Sequence, residues 1–165
     1  MNKDNIILIG MPGAGKSTVG VVLAKKLGYS FVDADLVIQS QEGKLLHELI
    51  AERGVEGFWK LEEAVGESIE GKRTVIATGG SAVYGEKAMA HYRQIGTVVY
   101  LSLPLEAIRE RLGDLTERGV TLRDGQDLDG LYAERQPLYE KYADVTVDCE
   151  GFSIREIVEK IASLE

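Results

Sequence analysis

The stretch Gly10-Met11-Pro12-Gly13-Ala14-Gly15-Lys16-Ser17-Thr18 lies between an apolar run at residues 6–9 and a helical pattern that ends near Gly28. Its spacing matches the phosphate-binding loop G-x-x-x-x-G-K-[ST] in full, and its flanks predict the strand and the helix that such a loop joins. Gly13 and Gly15 can adopt backbone conformations that turn successive N–H groups toward one anion, and the helix adds the positive end of its dipole. The sequence therefore predicts a binding site for a nucleoside triphosphate.

Two side chains of the loop have a predicted role in the chemistry. Lys16 can reach the β- and γ-phosphates, and the hydroxyl of Ser17 is in position to bind Mg²⁺. The nucleotide-binding residues predicted in the loop are Gly13, Ala14, Gly15, Lys16, Ser17 and Thr18.

Composition narrows the classes of function. The 165 residues suit one domain, and 19 basic against 27 acidic side chains give a net charge of −8. Such an acidic surface would repel nucleic acid and anionic membranes, so neither is expected as a partner. A single cysteine, Cys149, excludes an internal disulfide. With no signal sequence and no apolar run near the roughly 20 residues of a membrane helix, the cytoplasm is the expected compartment.

Strand patterns alternate with helix patterns along the chain. The expected strands cover residues 6–9, 29–33, 74–77, 97–101 and 145–148. Continuous apolar runs are typical of strands that are buried on both faces of a parallel sheet. We therefore predict a single P-loop domain over residues 1–165, a three-layer α/β/α fold with a five-stranded parallel sheet. Residues 112–127 hold three glycines and no sustained period, which indicates a mobile lid.

Further candidate residues follow the second and third strands, at the edge where such sheets bind ligands. Asp33 and Asp35 flank one residue, and an alternating backbone would turn both carboxylates the same way. One carboxylate would then serve the metal shell and the other the acceptor hydroxyl, whereas the alternative role is helix capping. Gly79-Gly80 either lets an acceptor approach the backbone or forms only a tight turn.

The order of these features resembles the shikimate kinase family, within the wider group of small nucleoside-monophosphate-kinase-like enzymes, over nearly the whole chain. Arg-x-Pro-Leu-Tyr from Arg135 onward, followed by Ala-Asp, is a hallmark of that family. The stretches that carry the resemblance are the glycine loop, Phe31-Val-Asp-Ala-Asp35, Gly57-Phe-Trp-Lys-Leu-Glu-Glu63, Ala77-Thr-Gly-Gly80 and Glu134-Arg-Gln-Pro-Leu-Tyr-Glu140.

The resemblance implies ATP and Mg²⁺ as cofactors and a role for each matching residue. The implied catalytic residues are Lys16, Asp35 and Arg118, of which Arg118 matches the lid arginine, and the implied metal residues are Ser17 and Asp33. Arg111 matches the arginine that stacks on adenine, and Arg118 joins it in binding the nucleotide. The implied substrate-binding residues, centred on an acceptor region at about 34–62, are Asp35, Trp59, Glu62, Gly79, Gly80, Ser81 and Arg135.

Three positions depart from the family pattern. Trp59 stands where the second carboxylate-binding arginine is expected, and Ser81 replaces the third glycine of a Gly-Gly-Gly run. In the lid, Arg118 is followed by Gly119 instead of proline. None of the three departures touches the triphosphate machinery, so kinase chemistry is expected to be intact while the identity of the acceptor stays open.

The expected reaction is ATP-dependent phosphorylation of a hydroxyl on a small metabolite. Shikimate, converted to shikimate 3-phosphate in aromatic amino-acid biosynthesis, is the first expectation, and the protein is expected to be a monomer. One alternative is a related kinase for another hydroxy acid or a polyol. A second is a nucleotide-binding regulatory module without catalysis, although such a module has no need of the acceptor-side Asp35.

Overall fold

The computed structural model describes residues 4–112, 120–123 and 125–164. Its strands are β1 (Asn5–Ile9), β2 (Ser30–Asp33), β3 (Thr74–Ala77), β4 (Gly96–Ser102) and β5 (Val145–Asp148). They form one five-stranded sheet in the order β2-β3-β1-β4-β5, and every neighbouring pair is parallel. The predicted strands and the predicted parallel α/β sheet are therefore confirmed.

The helices lie between the strands as the pattern predicts. They are α1 (Lys16–Leu27), α2 (Ala34–Glu42), α3 (Leu46–Ser68), α4 (Glu86–Ile95), α5 (Leu105–Arg111), α6 (Leu128–Tyr142) and α7 (Ile154–Ala162), with a 3₁₀ turn at Ala82–Tyr84. Gly28 and Gly43 end α1 and α2 in the left-handed conformation, with φ of 72° and 68°. At Gly54 the backbone of α3 leaves helical geometry, with φ of 76° and ψ of 172°, which kinks the helix.

The core lies on both faces of the sheet, because all residues of β1 and β3 are buried. On one side α1 packs against α7, and elsewhere α3 packs against α4. Gly20 of α1 lies directly on the ring of Phe31, where a Cβ atom would come within 2.6 Å of Cε1. Glycine at this position therefore lets α1 lie close to the sheet.

Only part of the predicted lid at 112–127 is within the described residues. Residues 120–123 are described, whereas Arg118 and Gly119 lie outside, so the predictions made for them stay predictions. Within the described part of the chain, no helix is both long enough and apolar enough to cross a membrane.

Candidate active site

A cavity of about 480 Å³ opens at the carboxyl end of the sheet. It brings together most of the residues that the sequence singles out, both from the phosphate loop and from the acceptor side. The predicted residues that line it are Gly13, Gly15, Lys16, Ser17, Thr18, Asp35, Glu62, Gly79, Gly80, Ser81, Arg111 and Arg135. Three predicted residues, Ala14, Asp33 and Trp59, do not line the cavity themselves, and Arg118 lies outside the described residues.

The phosphate loop has the backbone shape that its glycines predict. Gly13 and Gly15 have φ of 82° and 95°, a region that only glycine adopts without strain. The Lys16 ammonium lies over this loop and donates to the carbonyl oxygens of Gly10 at 2.8 Å and Met11 at 2.9 Å. Burial lowers the pKa of Lys16 to about 8, and the nearby Asp35 carboxylate opposes that shift. The loop therefore holds a buried cation that is bonded only to neutral carbonyls of its own backbone among the described residues.

Asp33 uses its two carboxylate oxygens for different purposes. Oδ1 accepts the backbone N–H groups of Asp35 and Leu36 and so caps α2, while Oδ2 accepts the hydroxyl of Ser17 at 2.6 Å. The capping role and the contact with the predicted magnesium residue are thus compatible rather than alternative.

Asp35 lines the cavity, but its backbone conformation differs from the expected one. The interpretation that an alternating backbone orients Asp33 and Asp35 together is wrong, because α2 begins at Ala34 and Asp35 lies in its first turn. The pKa of Asp35 is raised to about 6, chiefly by burial and also by the negative charge of Asp33, while the Lys16 cation opposes the shift. A carboxylate with this pKa is ionised at neutral pH and is a stronger base than an exposed aspartate.

Glu62 and Ser81 form a buried pair beside Asp35. The Ser81 hydroxyl donates to Glu62 Oε1 at 2.6 Å, and the Glu62 side chain is only 6% exposed. Burial raises the pKa of Glu62 to about 7, the charge of Asp35 adds to the rise, and the Ser81 hydrogen bond and the Arg135 cation oppose it. Ser81, which departs from the family pattern, thus donates a hydrogen bond to a carboxylate that is shielded from water.

The two glycines after β3 are in close contact with the site. A Cβ atom on Gly79 would lie 2.5 Å from Glu62 Oε2 and 2.6 Å from Asp35 Oδ1. A Cβ atom on Gly80 would lie 2.8 Å from Cδ of Pro12, and the Gly80 carbonyl accepts the hydroxyl of Tyr139 at 2.6 Å. Close approach of neighbouring groups, and not a left-handed backbone, therefore favours glycine at both positions.

Arg135 is a buried cation without a carboxylate partner in the described part of the chain. Its side chain is 1% exposed, and its Nη2 atom donates to the Thr121 carbonyl oxygen at 3.2 Å and to Thr121 Oγ1 at 2.8 Å. Its Nε atom has no hydrogen-bond partner among the described residues. Because a buried charge normally carries a counter-charge, this guanidinium on the cavity wall is suited to bind an anion.

Trp59 does not line the cavity. Its ring stacks on Tyr84 with centroids 4.0 Å apart, and its indole N–H donates to Thr121 Oγ1 at 3.1 Å. The guanidinium of Arg135 lies 5.4 Å from the ring centroid of Tyr84. Trp59 is therefore connected to the cavity through Thr121, and a direct substrate contact by its ring stays a prediction.

An arginine and an apolar side chain also line the cavity. Arg111 Nη1 donates to the carbonyl oxygen of Gly13 at 3.2 Å, which places its guanidinium beside the phosphate loop. Ile154, the first residue of α7, lines the same cavity. A flat planar cation and an apolar group are suited to hold the two faces of an aromatic base.

The sequence did not single out several lining residues, namely Pro12, Phe58, Thr78, Val120, Thr121 and Ile154. Thr78 and Ile154 follow β3 and β5 at the carboxyl edge of the sheet, so the rule that located Asp33 could have found them. Thr121 has no comparable local signal, because its partners Trp59 and Arg135 are distant in the chain.

Comparisons with known proteins agree with one another along the whole chain. A model of the shikimate kinase family matches residues 12–164. The shikimate kinase of Persephonella marina is 37% identical over 158 residues, which cover 95% of this chain and 96% of that relative. The shikimate kinase of Francisella tularensis subsp. holarctica is 40% identical over 163 residues, with coverage of 96% and 93%.

A solved structure also has this fold. The shikimate kinase from Acinetobacter baumannii, in a complex with shikimate, superposes with a TM-score of 0.82 at 32% sequence identity. The superposition covers 97% of this chain and 91% of that one.

Proposed function

The chain belongs to the shikimate kinase family, and we propose that it transfers the γ-phosphoryl group of ATP to a hydroxyl of shikimate, giving shikimate 3-phosphate. The observation that carries the proposal is the buried Arg135, which makes no ion pair with a described residue and lines the same cavity as the phosphate loop. Shikimate has both groups that such a cavity requires, a carboxylate for the arginine and hydroxyls for the nearby acids.

The nucleotide end of the cavity supports ATP as the phosphoryl donor. The loop around Gly13 and Gly15 supplies backbone N–H groups, and the Lys16 ammonium can leave its two carbonyl partners for phosphate oxygens of full negative charge. Arg111 lies beside the loop and Ile154 also lines the cavity, and together they would hold the adenine ring. These contacts would position the γ-phosphoryl group next to the residues on the acceptor side of the cavity.

The pair formed by Ser17 and Asp33 fits Mg²⁺. Ser17 Oγ and Asp33 Oδ2 are hard oxygen donors that already lie 2.6 Å apart, and Mg²⁺ is bound in such sites by few protein oxygens together with phosphates. When bound there, the ion would neutralise negative charge on the phosphates.

Asp35 and Lys16 supply the proposed chemistry of transfer. Asp35 is ionised at neutral pH and lies on the acceptor side, so it would orient the reacting hydroxyl and accept its proton. Lys16 would stabilise the charge on the transferring phosphoryl group. We infer that Arg118, in the proposed lid at 112–127, adds a second cation there.

The acceptor is best explained as a hydroxylated carboxylate. Arg135 would bind the carboxylate, while Glu62 and Asp35, both crowded against Gly79, face the hydroxyl side of the cavity. A polyol without an anionic group would leave the buried guanidinium of Arg135 unpaired, which is costly. The alternative of a kinase for a neutral polyol therefore explains the site less well.

We infer in addition that the enzyme acts as a monomer in the cytoplasm. In support, its single cysteine, Cys149, is a buried free thiol, which suits a reducing compartment.

A panel of acceptors tests the proposed function. Purified protein is incubated with ATP, Mg²⁺ and millimolar shikimate, or with inositol as a cyclic polyol that lacks a carboxylate, and ADP release is measured. We expect ADP release with shikimate only, and a phosphate monoester in the ³¹P spectrum of the product. The Lys16→Ala variant serves as the blank for contaminating kinases. Equal turnover with inositol, or none with shikimate, would refute the assignment.

A further inference from the structure

The hydroxyl of Thr121 has only one bonding direction left. A threonine oxygen carries two lone pairs and one O–H proton. Trp59 Nε1 donates to Thr121 Oγ1 at 3.1 Å, and Arg135 Nη2 donates to the same atom at 2.8 Å. Indole and guanidinium nitrogens act only as donors, so these two bonds occupy both lone pairs of the oxygen.

The O–H proton of Thr121 therefore needs an acceptor other than Trp59 and Arg135. No described residue accepts a hydrogen bond from it, and the side chain is 2% exposed, so bulk water does not surround it. Thr121 lines the cavity together with Arg135, Gly80 and Asp35. Since Thr121 lines the cavity, a group bound there can supply the acceptor that this proton lacks among the described residues.

We propose that Thr121 is an acceptor-binding residue whose hydroxyl donates to the carboxylate of the substrate, beside Arg135. This inference rests on the proposed function, since it assigns the second anchor of the same carboxylate. Arg135 supplies charge, and Thr121 supplies a neutral donor that two neighbouring N–H groups have fixed in one orientation. A carboxylate has two oxygens, so it can accept from both residues at once.

Trp59 is a positioning residue in this arrangement. Its ring is held against Tyr84 with an interplanar angle of 14°, and the ring of Trp59 also lies 5.3 Å from the guanidinium carbon of Arg123. This packing fixes the direction of the indole N–H, and the indole N–H in turn fixes the lone pairs of Thr121. The tryptophan that replaces the expected arginine would thus contribute to carboxylate binding through Thr121, without adding a charge.

Four variants test the inference by steady-state kinetics with ATP and shikimate. Thr121→Val removes the hydroxyl at nearly constant shape and is expected to raise the KM for shikimate about tenfold, with kcat and the KM for ATP little changed. Thr121→Ser keeps the hydroxyl and is expected to retain a KM near that of the wild type. Trp59→Phe is expected to raise the same KM a few-fold, and the double variant Trp59→Phe/Thr121→Val to match Thr121→Val alone.

Thr146→Val, on the exposed side of β5, is the matched control and is expected to change neither constant. If Thr121→Val alone does not fold, the double variant carries the same test, because it leaves no indole N–H without a partner. An unchanged KM for shikimate in Thr121→Val, with normal wild-type turnover, would overturn the role of Thr121. Equal effects of Trp59→Phe in both backgrounds would overturn its positioning role. A wild-type protein that does not phosphorylate shikimate would instead refute the proposed function and this inference with it.

Discussion

Replacing Glu62 by glutamine should stabilise the protein, and more so as the pH rises. Glu62 is buried beside Asp35, and its pKa is raised from an ordinary 4.5 to about 7, mainly by burial. Glutamine keeps the shape and can still bond to Ser81, but it never carries the buried negative charge. The variant therefore removes one titratable group from the folded protein, and we expect the rest of the cavity to keep its structure.

The size and sign of the effect follow from the pKa. Because Glu62 binds its proton more tightly in the folded chain than in the unfolded chain, the folded state holds more protons between pH 4.5 and about 7. The contribution of Glu62 to the free energy of unfolding therefore falls as pH rises through this interval and is constant above it. About 1.4 kcal/mol per pH unit over the interval gives a total of about 3 kcal/mol, which Glu62→Gln should recover at pH 8 but not below pH 4.5.

Urea unfolding of both proteins from pH 4.5 to pH 8 measures this difference. With a slope of about 2 kcal/mol per molar urea, the midpoint of Glu62→Gln should exceed that of the wild type by about 1.5 M at pH 8. Glu67→Gln removes an exposed carboxylate from the same helix and should give a small difference that does not grow with pH. A difference in urea midpoint between Glu62→Gln and the wild type that does not change from pH 4.5 to pH 8 would contradict the reasoning.

Four further outcomes are expected from the site. Lys16→Ala should lower kcat at least about a hundredfold while the thermal midpoint changes little, and near-normal turnover would rule out its role in phosphoryl transfer. Asp35→Asn should lower kcat by about a hundredfold or more with a small effect on the KM for ATP. Because only ionised Asp35 accepts a proton and burial raises its pKa to about 6, kcat/KM of the wild type should fall below that pH; a flat acidic limb would exclude it as the base. Gly79→Ala should lower kcat/KM for the acceptor strongly, since its Cβ would lie within 2.6 Å of both Glu62 and Asp35; unaltered kinetics would show that the carboxylates move freely.

Most of the fold could be predicted because its signals are local. A continuous apolar run such as residues 6–9 and a glycine at a helix end such as Gly28 report their own conformation through a few neighbouring residues. The phosphate loop adds a fixed spacing, so its position at the end of β1 is specified without any knowledge of the rest. The order of the strands is not local in this sense, and it was not predicted.

The site could be predicted only in part, because several of its contacts join distant residues. Lys16, Ser17 and Arg135 were located by spacing or by family resemblance, and all three line the cavity. The backbone conformation at Asp35 was predicted wrongly, since the sequence does not show that α2 starts one residue after Asp33. The bond from Trp59 to Thr121 depends on how α3 packs near the segment at 120–123, which no local period encodes.

The strand order has a consequence for how the enzyme is made on the ribosome. β3 lies between β2 and β1, although it follows both of them in the chain. A nascent chain that has emerged only through α3 therefore lacks the strand that sets the distance between Ser17 and Asp33. Arg135, on α6, emerges later still. We expect the growing chain to bind neither ATP nor the acceptor until synthesis is almost finished, so an incomplete polypeptide does not consume nucleotide.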